Sequence, residues 1–544
     1  METDIVNISL PLKEMARLQP DRPAIIFPRE GRTLTFRQLD ERSDRLAAGL
    51  AGIGITRGTR TALLVPPGPE LFALTFALFK AGAVPVFIDP GIGARNMKGC
   101  LAEARPEAFI GIPKAHLARR LLGWGRGSLR ILVTVHGGRL WGGIPLAEIE
   151  ASAPEAEFRP ADTRRDETAA ILFTSGSTGP PKGAVYSHGT FAAQVEALRR
   201  VYGIRPGEID LPTFPLFALF APALGMTALI PTMDFTRPGS VDPENILGPA
   251  REYGATTMFG SPALLGRVGR YGAERGITLP AMKRVISAGA PVPAGVLERF
   301  SRLLPPDGEI FTPYGATESL PVSSIGSREI LGETSHATAQ GRGICVGLPV
   351  SGIEVAIIPI SDSPLDGWDE ALRLQPGEIG EIAVRGPQVT REYFSRPEAT
   401  RLAKIHAPDG SLWHRMGDSG YLDEQGRIWF CGRKSHRVDT ARGRLFTIQV
   451  EGVFNSHPEV FRTALVGVGE RGGQLPVLCV ELEKGVPRGE EERIRQELLR
   501  LGSSYPHTAG IATILFHPAF PVDIRHNAKI FREKLAVWAE RRLR

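Results

Sequence analysis

The stretch ILFTSGSTGPPKG, residues 171–183, joins an apolar run typical of a buried strand to a loop rich in glycine, proline and hydroxyl side chains. Its glycines free the backbone, and its two prolines disfavour a helix. Flexible N–H groups, clustered hydroxyls and the single cation Lys182 are the groups that bind a polyphosphate. Pro181 stands where a Walker A motif has glycine, so this is a different phosphate loop. The alternative is a polar surface loop.

The composition is that of a globular protein with more than one domain. The chain has 544 residues, of which 42% are hydrophobic and 23% are charged. A net charge of +6 spread over this length does not favour nucleic-acid binding. The four cysteines lie far apart and lack metal-binding spacing, so we expect reduced, buried thiols and a cytoplasmic protein. The acidic N-terminus is unlike a signal peptide.

One uncharged segment, residues 211–231, is about as long as a transmembrane helix. Its four prolines would interrupt such a helix repeatedly. The sequence therefore predicts a buried, kinked segment that lines an apolar pocket, and it leaves peripheral membrane contact open.

Apolar strand runs alternate with amphipathic helices over most of the chain. We predict, for example, helices at 35–50, 69–80, 190–202 and 262–271, and strands at 61–65, 83–88, 255–259 and 284–288. This alternation predicts an α/β fold with mostly parallel sheets flanked by helices. Short strands from about residue 350 predict a β subdomain, and a small α+β domain follows. We place the large domain at 1–432, a polar hinge at 433–437 and the small mobile domain at 438–544.

Two further motifs carry polar side chains that suit a nucleotide. FTPYGATE, residues 311–318, ends in a carboxylate that could bind Mg²⁺, and a surface glutamate is the alternative. HRMGDSG, residues 414–420, places Asp418 on a predicted tight turn before a strand. That aspartate could accept hydrogen bonds from ribose hydroxyls, and an ordinary Asx-turn is the alternative.

These motifs occur in a fixed order: TSGSTGPPKG, SAGAPV at 287–292, YGATE, MGDSG, CGRK and the C-terminal Asn527-Ala528-Lys529. In this order and spacing the chain resembles the adenylate-forming superfamily of acyl-CoA synthetases, adenylation domains and firefly luciferase, from about residue 15 to 540. The resemblance implies ATP and Mg²⁺ as cofactors. It also implies a two-step reaction in which a carboxylate is first joined to AMP.

The resemblance assigns a role to individual residues of this sequence. Catalysis would involve Lys529, Thr317 and Glu318, with Glu318 as the Mg²⁺ ligand and Lys529 reaching the α-phosphate from the small domain. ATP would be bound by Thr174, Ser175, Gly176, Ser177, Thr178, Gly179, Lys182, Gly289, Ala290, Pro291, Tyr314, Gly315, Ala316, Asp418 and Arg433. The substrate pocket would include Phe214, Phe217, Ala218, Met258 and Gly260.

Three positions depart from the pattern of acyl-CoA synthetases. The PLFH motif of many of these enzymes is PLFA here, with Ala218 in place of histidine. The hinge residue, usually aspartate or lysine, is Ser435, and the usual glycine before the catalytic lysine is Ala528. Gly443 matches the glycine that faces a thiol acceptor, so CoA is not excluded.

The segments HNAKIFREKLAVWA, residues 526–539, and YGATESLPV, residues 314–322, look most like olefin β-lactone synthetases. That resemblance implies adenylation of a long-chain 2-alkyl-3-hydroxy acid, closure to a β-lactone by the substrate's own hydroxyl group, and release of AMP and pyrophosphate. Assembly with other enzymes of the same pathway is possible. We expect neither a nucleic-acid partner nor a transmembrane segment. The alternatives are a long-chain acyl-CoA synthetase, a carrier-protein-loading acyl-AMP ligase and a non-catalytic nucleotide sensor. The sequence identifies no base for the hydroxyl proton.

Overall fold

The computed structural model describes residues 5–154, 157–174, 180–487, 489–522 and 530–544. The middle of the phosphate loop, 175–179, and the segment that contains Lys529 therefore lie outside the described residues. The side chains of Pro90 and Thr174 lie outside them as well.

The strands alternate with helices from the N-terminus to about residue 316. The strands are β1 Pro23–Phe27, β2 Arg32–Thr35, β3 Arg60–Leu64, β4 Val84–Ile88, β5 Ala108–Gly111, β6 Ile131–Thr134, β7 Ile144–Pro145, β8 Thr168–Thr174, β9 Lys182–Ser187, β10 Ile209–Pro212, β11 Thr227–Leu229, β12 Thr257–Phe259, β13 Arg284–Ile286, β14 Glu309–Ala316, β15 Ser319–Gly326, β16 Ile344–Cys345, β17 Leu348–Pro349, β18 Glu354–Ile358, β19 Gly380–Arg385, β20 Lys404–His406, β21 Leu412–Leu422, β22 Ile428–Arg433, β23 Val438–Thr440, β24 Gly443–Leu445, β25 Val460–Val468, β26 Leu475–Leu482 and β27 Thr513–Phe516.

The helices include several that begin with proline at their first turn, where its missing N–H costs nothing. The helices are α1 Leu10–Leu18, α2 Phe36–Gly52, α3 Pro69–Lys80, α4 Ala94–Ala104, α5 Pro113–Leu122, α6 Leu146–Ser152, α7 His188–Tyr202, α8 Pro215–Ala218, α9 Phe220–Ala223, α10 Glu244–Glu252, α11 Pro262–Glu274, α12 Ala294–Ser301, α13 Ser327–Glu329, α14 Ser335–Ala339, α15 Pro397–Ala403, α16 Thr447–Phe454, α17 Glu491–Ser503 and α18 Arg532–Leu543.

Two mostly parallel sheets form the body of the large domain. One has the strand order β17-β15-β14-β13-β12-β10-β11-β1-β2, and the other has the order β7-β6-β5-β3-β4-β8-β9. The antiparallel pairs lie at the edges: β2, β15 and β17 in the first sheet and β9 in the second. Helices such as α3, which is buried along its whole length, cover the sheets. The predicted α/β class is confirmed.

The β subdomain and the C-terminal unit are also present. The strand order β16-β22-β21-β19-β18 makes an antiparallel sheet, with β20 paired to β21. After residue 437, β25, β26 and β27 form a separate sheet that packs against α16 and α18. The division into a mostly parallel α/β body and a small C-terminal α+β unit matches the prediction from sequence.

The local structure of two motifs differs from the sequence prediction. Asp418 lies inside the long strand β21, paired with Arg433 of β22, and is not on a tight turn. Its flanking glycines suggested a turn, but Gly417, with φ of 68°, is accommodated within the strand as an irregularity. In FTPYGATE, the residues up to Ala316 continue strand β14, and only Thr317 and Glu318 form the turn that leads back into β15.

The uncharged segment 211–231 is divided among β10, α8, α9 and β11, as its prolines predicted. Each piece is short, and its apolar side chains pack against the first sheet and α1. No described helix is both long and apolar enough to cross a lipid bilayer.

Candidate active site

One cavity among the described residues connects predicted polar residues with an apolar wall. Its volume is about 650 Å³. The predicted site residues that line it are Lys182, Phe214, Phe217, Gly289, Gly315, Ala316, Thr317, Glu318 and Arg433. Residues that lie up to 251 positions apart, from Lys182 to Arg433, therefore border one space.

Glu318 is held in place by groups from distant parts of the chain. The Tyr393 hydroxyl donates a hydrogen bond of 2.5 Å to Glu318 Oε1, and the Thr390 N–H donates one of 2.8 Å to the Glu318 carbonyl. The ring of Tyr393 also lies 4.9 Å from Lys182 Nζ. Tyr393 therefore connects the lysine of the phosphate loop to the carboxylate predicted to bind Mg²⁺. This carboxylate borders the cavity from a turn, which suits a hard cation that prefers oxygen ligands.

The buried Lys404 contacts the loop that holds the Glu318 backbone. The Nζ atom of Lys404 donates a hydrogen bond to the Thr390 carbonyl, and burial lowers the pKa of Lys404 to about 7 despite the opposing charge of Glu318. Lys404 thus positions the loop that holds the Glu318 backbone. Nearby, the Tyr186 hydroxyl donates a 2.5 Å hydrogen bond to the Thr317 carbonyl. These contacts fix both residues of the turn.

Asp418 forms a buried network with two other predicted nucleotide-binding residues. The Tyr314 hydroxyl donates a 2.6 Å hydrogen bond to Asp418 Oδ2, and Arg433 Nη1 lies 2.9 Å from Asp418 Oδ1. Burial raises the pKa of Asp418, while Arg433 opposes that shift. The same carboxylate raises the pKa of Arg433. The network links β14, β21 and β22, so it joins the first sheet to the β subdomain.

The apolar wall of the cavity lies on one face of the first sheet. Phe217 packs edge-on against Phe214 and Phe259, with ring centroids 4.9 and 4.6 Å apart. Further along, the wall includes Leu198, Ile204, Leu224 and Met226. This face could hold alkyl chains.

Several predicted residues do not line the cavity. Met258 points to the opposite face of the sheet, into the core, so its neighbours Thr257 and Phe259 form the wall instead. Ala218 is buried in the core, and a side chain on Gly260 would collide with Leu265. Ala290, Pro291, Tyr314 and Asp418 also lie outside the cavity lining.

Of the predicted phosphate loop, Thr174 is the last residue of β8 and pairs with Lys182 of β9. Ser175, Gly176, Ser177, Thr178, Gly179 and Lys529 lie outside the described residues.

The sequence did not indicate Tyr393, Lys404 or Asp210 as site residues. Tyr393 is 75 positions from Glu318, and no short motif connects them. Asp210 lies in β10 on the face that borders the cavity, next to Thr257 of β12. Burial raises the pKa of its carboxyl to about 7 despite the charge of Arg284. Asp210 lies one residue before the uncharged segment 211–231 and belongs to no motif, so nothing in the sequence indicated this environment.

We expect Tyr393→Phe to lower the rate of AMP formation about tenfold and to raise the Mg²⁺ concentration needed for half-maximal activity, because outer-shell partners of metal ligands have effects of this size. The phenylalanine ring keeps its place beside Lys182 and loses only the hydrogen bond to Glu318. The measurement is the initial rate of AMP formation over a series of Mg²⁺ concentrations. The matched control is Tyr271→Phe, since the Tyr271 hydroxyl donates a 2.7 Å hydrogen bond to Glu244 on α10. An unchanged Mg²⁺ dependence for Tyr393→Phe would contradict this role.

We expect Asp210→Asn to remove a pH dependence of stability. A carboxyl with a raised pKa binds more protons when folded than when unfolded, so its contribution is most favourable below the unfolded pKa of about 4. The free energy of unfolding then falls as the pH rises from about 4 to about 7. Urea unfolding across this range measures the slope, with the exposed Asp307→Asn as control. Equal slopes for wild type and Asp210→Asn would refute the assignment.

Comparison with known proteins identifies the family. The AMP-binding enzyme family matches residues 12–394. The chain belongs to this family. It is 53% identical over 551 residues to the olefin beta-lactone synthetase of Xanthomonas campestris pv. campestris, covering 99% of this chain and 98% of that protein. The olefin beta-lactone synthetase of Stenotrophomonas maltophilia is equally similar, at 53% over 552 residues with the same coverage.

The fold of this AMP-binding enzyme is also that of solved structures. The amide bond synthetase McbA from Marinactinospora thermotolerans superposes with a TM-score of 0.78 over 97% of this chain and 99% of that chain. Its sequence identity is 21%, so this likeness concerns the fold alone. Membership of the family confirms the adenylate-forming resemblance found in the motifs.

Proposed function

We propose that this enzyme converts a 2-alkyl-3-hydroxy acid with long alkyl chains into a β-lactone, using ATP and releasing AMP and pyrophosphate. The observation that carries the proposal is the 53% identity to two olefin beta-lactone synthetases over 99% of the chain. The cavity supports it, because polar groups suited to a nucleotide and an apolar wall suited to alkyl chains border the same space.

The first step joins the carboxylate to AMP. A carboxylate oxygen attacks the α-phosphorus of ATP, and pyrophosphate leaves. Both reactants are anions, so the reaction needs cations that offset their repulsion and the charge that develops at the α-phosphate. We assign these roles to Lys182 at the leaving phosphates and Lys529 at the α-phosphate. We assign the Mg²⁺ to Glu318, where it would neutralise phosphate charge.

The nucleoside would be held by the network around Asp418. Its carboxylate is fixed by Tyr314 and Arg433, so it is oriented before a ribose hydroxyl arrives. Gly289, Ala290 and Pro291 would border the adenine. Gly289 has φ of 96°, and it lines the cavity without a side chain that would occupy the space.

The second step closes the ring. The 3-hydroxyl oxygen attacks the acyl carbon, the hydroxyl proton is lost, and the bond between that carbon and the AMP oxygen breaks. The hydroxyl is on the same molecule as the acyl group, so its effective concentration is high and no external thiol is needed. Ala218 fits this scheme, because it replaces the histidine of many acyl-CoA synthetases with a buried methyl group.

We propose that residues 433–437 act as the hinge between the domains 1–432 and 438–544. Arg433, Lys434 and Ser435 border the cavity, and His436 lies 3.2 Å from Glu533 in the first turn of α18. A rotation here would move the small domain relative to the cavity.

The four cysteines are free and buried, and we propose a cytoplasmic location on that ground.

A long-chain acyl-CoA synthetase is the second candidate, and Gly443 favours it. This glycine is exposed, with φ of 136° and open space where a side chain would be. It matches the position that faces a thiol acceptor in acyl-CoA synthetases. The first step would be the same, and a thiol would replace the hydroxyl in the second step.

The two candidates differ in whether CoA is required. The experiment incubates the enzyme with ATP, Mg²⁺ and a 2-alkyl-3-hydroxy fatty acid, with and without CoA, and identifies the acyl product by mass spectrometry. We expect the same β-lactone in both reactions. A CoA thioester, with no product when CoA is omitted, would overturn the proposal in favour of the second candidate.

A further inference from the structure

An exposed apolar surface lies on the second sheet, far in sequence from the residues of the site. It is formed by α5 and by the loop that follows β6. We name it the α5 patch and define it by Leu117, Leu121, Leu122, Leu140 and Trp141. Leu140 is 92% exposed and Leu121 is 76% exposed, the highest values among the large apolar side chains of the described residues.

The helix and the loop that carry the α5 patch lie next to each other. Leu117 and Leu121 are four residues apart and therefore share one face of α5. The ring of Pro113, at the start of that helix, and the ring of Trp141 both lie against Gly137. At the other end of the helix, the Arg120 guanidinium lies against Gly142, next to Trp141. The exposed apolar side chains of the helix and those of the loop therefore belong to neighbouring elements.

Basic residues are concentrated in the segment that carries the α5 patch. The sequence from 108 to 147 contains six basic residues and no acidic residue. Of these, Arg139 is paired with Glu148. Lys114, Arg120, Arg126 and Arg130 are exposed and have no ion-pair partner within the described part of the chain. The local charge is therefore strongly positive, although the whole chain carries only +6.

We propose that the α5 patch binds the surface of an anionic lipid bilayer. Exposed leucines and a tryptophan can enter the boundary between headgroups and acyl chains, where tryptophan is favoured. Lys114 and the unpaired arginines of the same segment are attracted to anionic headgroups, which compensates for the shallow depth of insertion. An acidic protein would account for the basic residues but not for the high exposure of Leu140 and Leu121. The proposal goes beyond the proposed reaction and does not depend on it.

The test is sedimentation of the full-length enzyme with two kinds of vesicle, one of phosphatidylcholine alone and one containing a minority of phosphatidylglycerol. We expect binding to the anionic vesicles at low salt, little binding to the neutral ones, and release from the anionic vesicles at high salt. Wild-type protein that remains in the supernatant with anionic vesicles, or that binds both kinds equally, would overturn the proposal.

Two double variants separate the apolar and basic contributions. Leu121→Asp with Trp141→Ala, and Arg120→Glu with Arg126→Glu, should each reduce the bound fraction at least about tenfold. The control for the apolar variant is Leu18→Asp, at another exposed leucine. The control for the basic variant is Arg251→Glu with Arg270→Glu, which changes the net charge by the same amount on other helices. Thermal unfolding checks that each variant folds. Patch variants that bind like wild type would overturn the proposal. A change in the oligomeric state of the patch variants would overturn it as well, because it would show that a second copy of the chain covers the patch.

Discussion

Replacing Lys529 by alanine is expected to lower the rate of AMP formation by about 10³-fold or more, while the affinity for ATP changes little. The lysine charge is needed most when the carboxylate and the α-phosphate approach each other, because negative charge then accumulates at one phosphorus. In the proposed site, ground-state ATP would still contact Lys182, Arg433 and the Asp418 network, so we expect its binding to depend on Lys529 far less. The effect should therefore appear mainly in kcat.

The described residues next to Lys529 support this assignment. Helix α18 begins at Arg532, and Arg532 forms a buried ion pair of 2.6 Å with Glu451 of α16. Glu533 contacts His436 beside Arg433 and Ser435, which border the cavity. The chain that follows the lysine is thus anchored close to the proposed hinge at the cavity rim.

The measurement combines AMP release under single-turnover conditions with calorimetric titration of ATP. Lys534→Ala is the matched control, because Lys534 is an exposed lysine of α18 that lies over the ring of Phe531. An AMP-forming rate within a few fold of wild type in Lys529→Ala would show that another cation performs the first step.

Glu318→Gln is expected to reduce AMP formation by about 10²-fold and to shift its Mg²⁺ dependence to higher concentrations. The amide keeps the shape of the side chain and can still accept the hydrogen bond from Tyr393. It lacks the negative charge that strengthens the binding of a hard divalent cation. The loss should therefore be larger than that of Tyr393→Phe, which leaves the charge in place.

Pyrophosphate–ATP exchange over a series of Mg²⁺ concentrations measures this effect. Glu392→Gln is the control, since Glu392 is exposed and lies one position before Tyr393. If Glu318→Gln and Glu392→Gln show the same Mg²⁺ dependence, Glu318 does not bind the metal.

The sequence predicted best those features that local patterns determine. The helix expected at 69–80 has those bounds, because Pro69 suits a first turn and the apolar residues that follow suit burial. The helix expected at 35–50 is α2, and a capping box between Thr35 and Gln38 determines where it begins. The order of the motifs was sufficient to identify the family, because each motif is short and continuous.

Features that depend on distant strands could not be read from the sequence. The flanking glycines of Asp418 predicted a turn, but pairing with Arg433 across β21 and β22 extends the strand through it. The hydrogen bond from Tyr393 to Glu318 exists because Val389 bridges to Ser319 and brings their two segments together. Met258 and Thr257 are adjacent in one apolar run, and only the sheet packing decides which of them faces the cavity.

The central claim is that the substrate's own 3-hydroxyl oxygen attacks the adenylated carboxyl group. The most direct measurement uses a 2-alkyl-3-hydroxy acid that carries ¹⁸O in the 3-hydroxyl group, with mass analysis of both products. The label should be found in the β-lactone ring, and AMP should contain none of it. Label in the AMP would mean that the bond between C3 and its oxygen breaks, and would contradict closure through an acyl-adenylate.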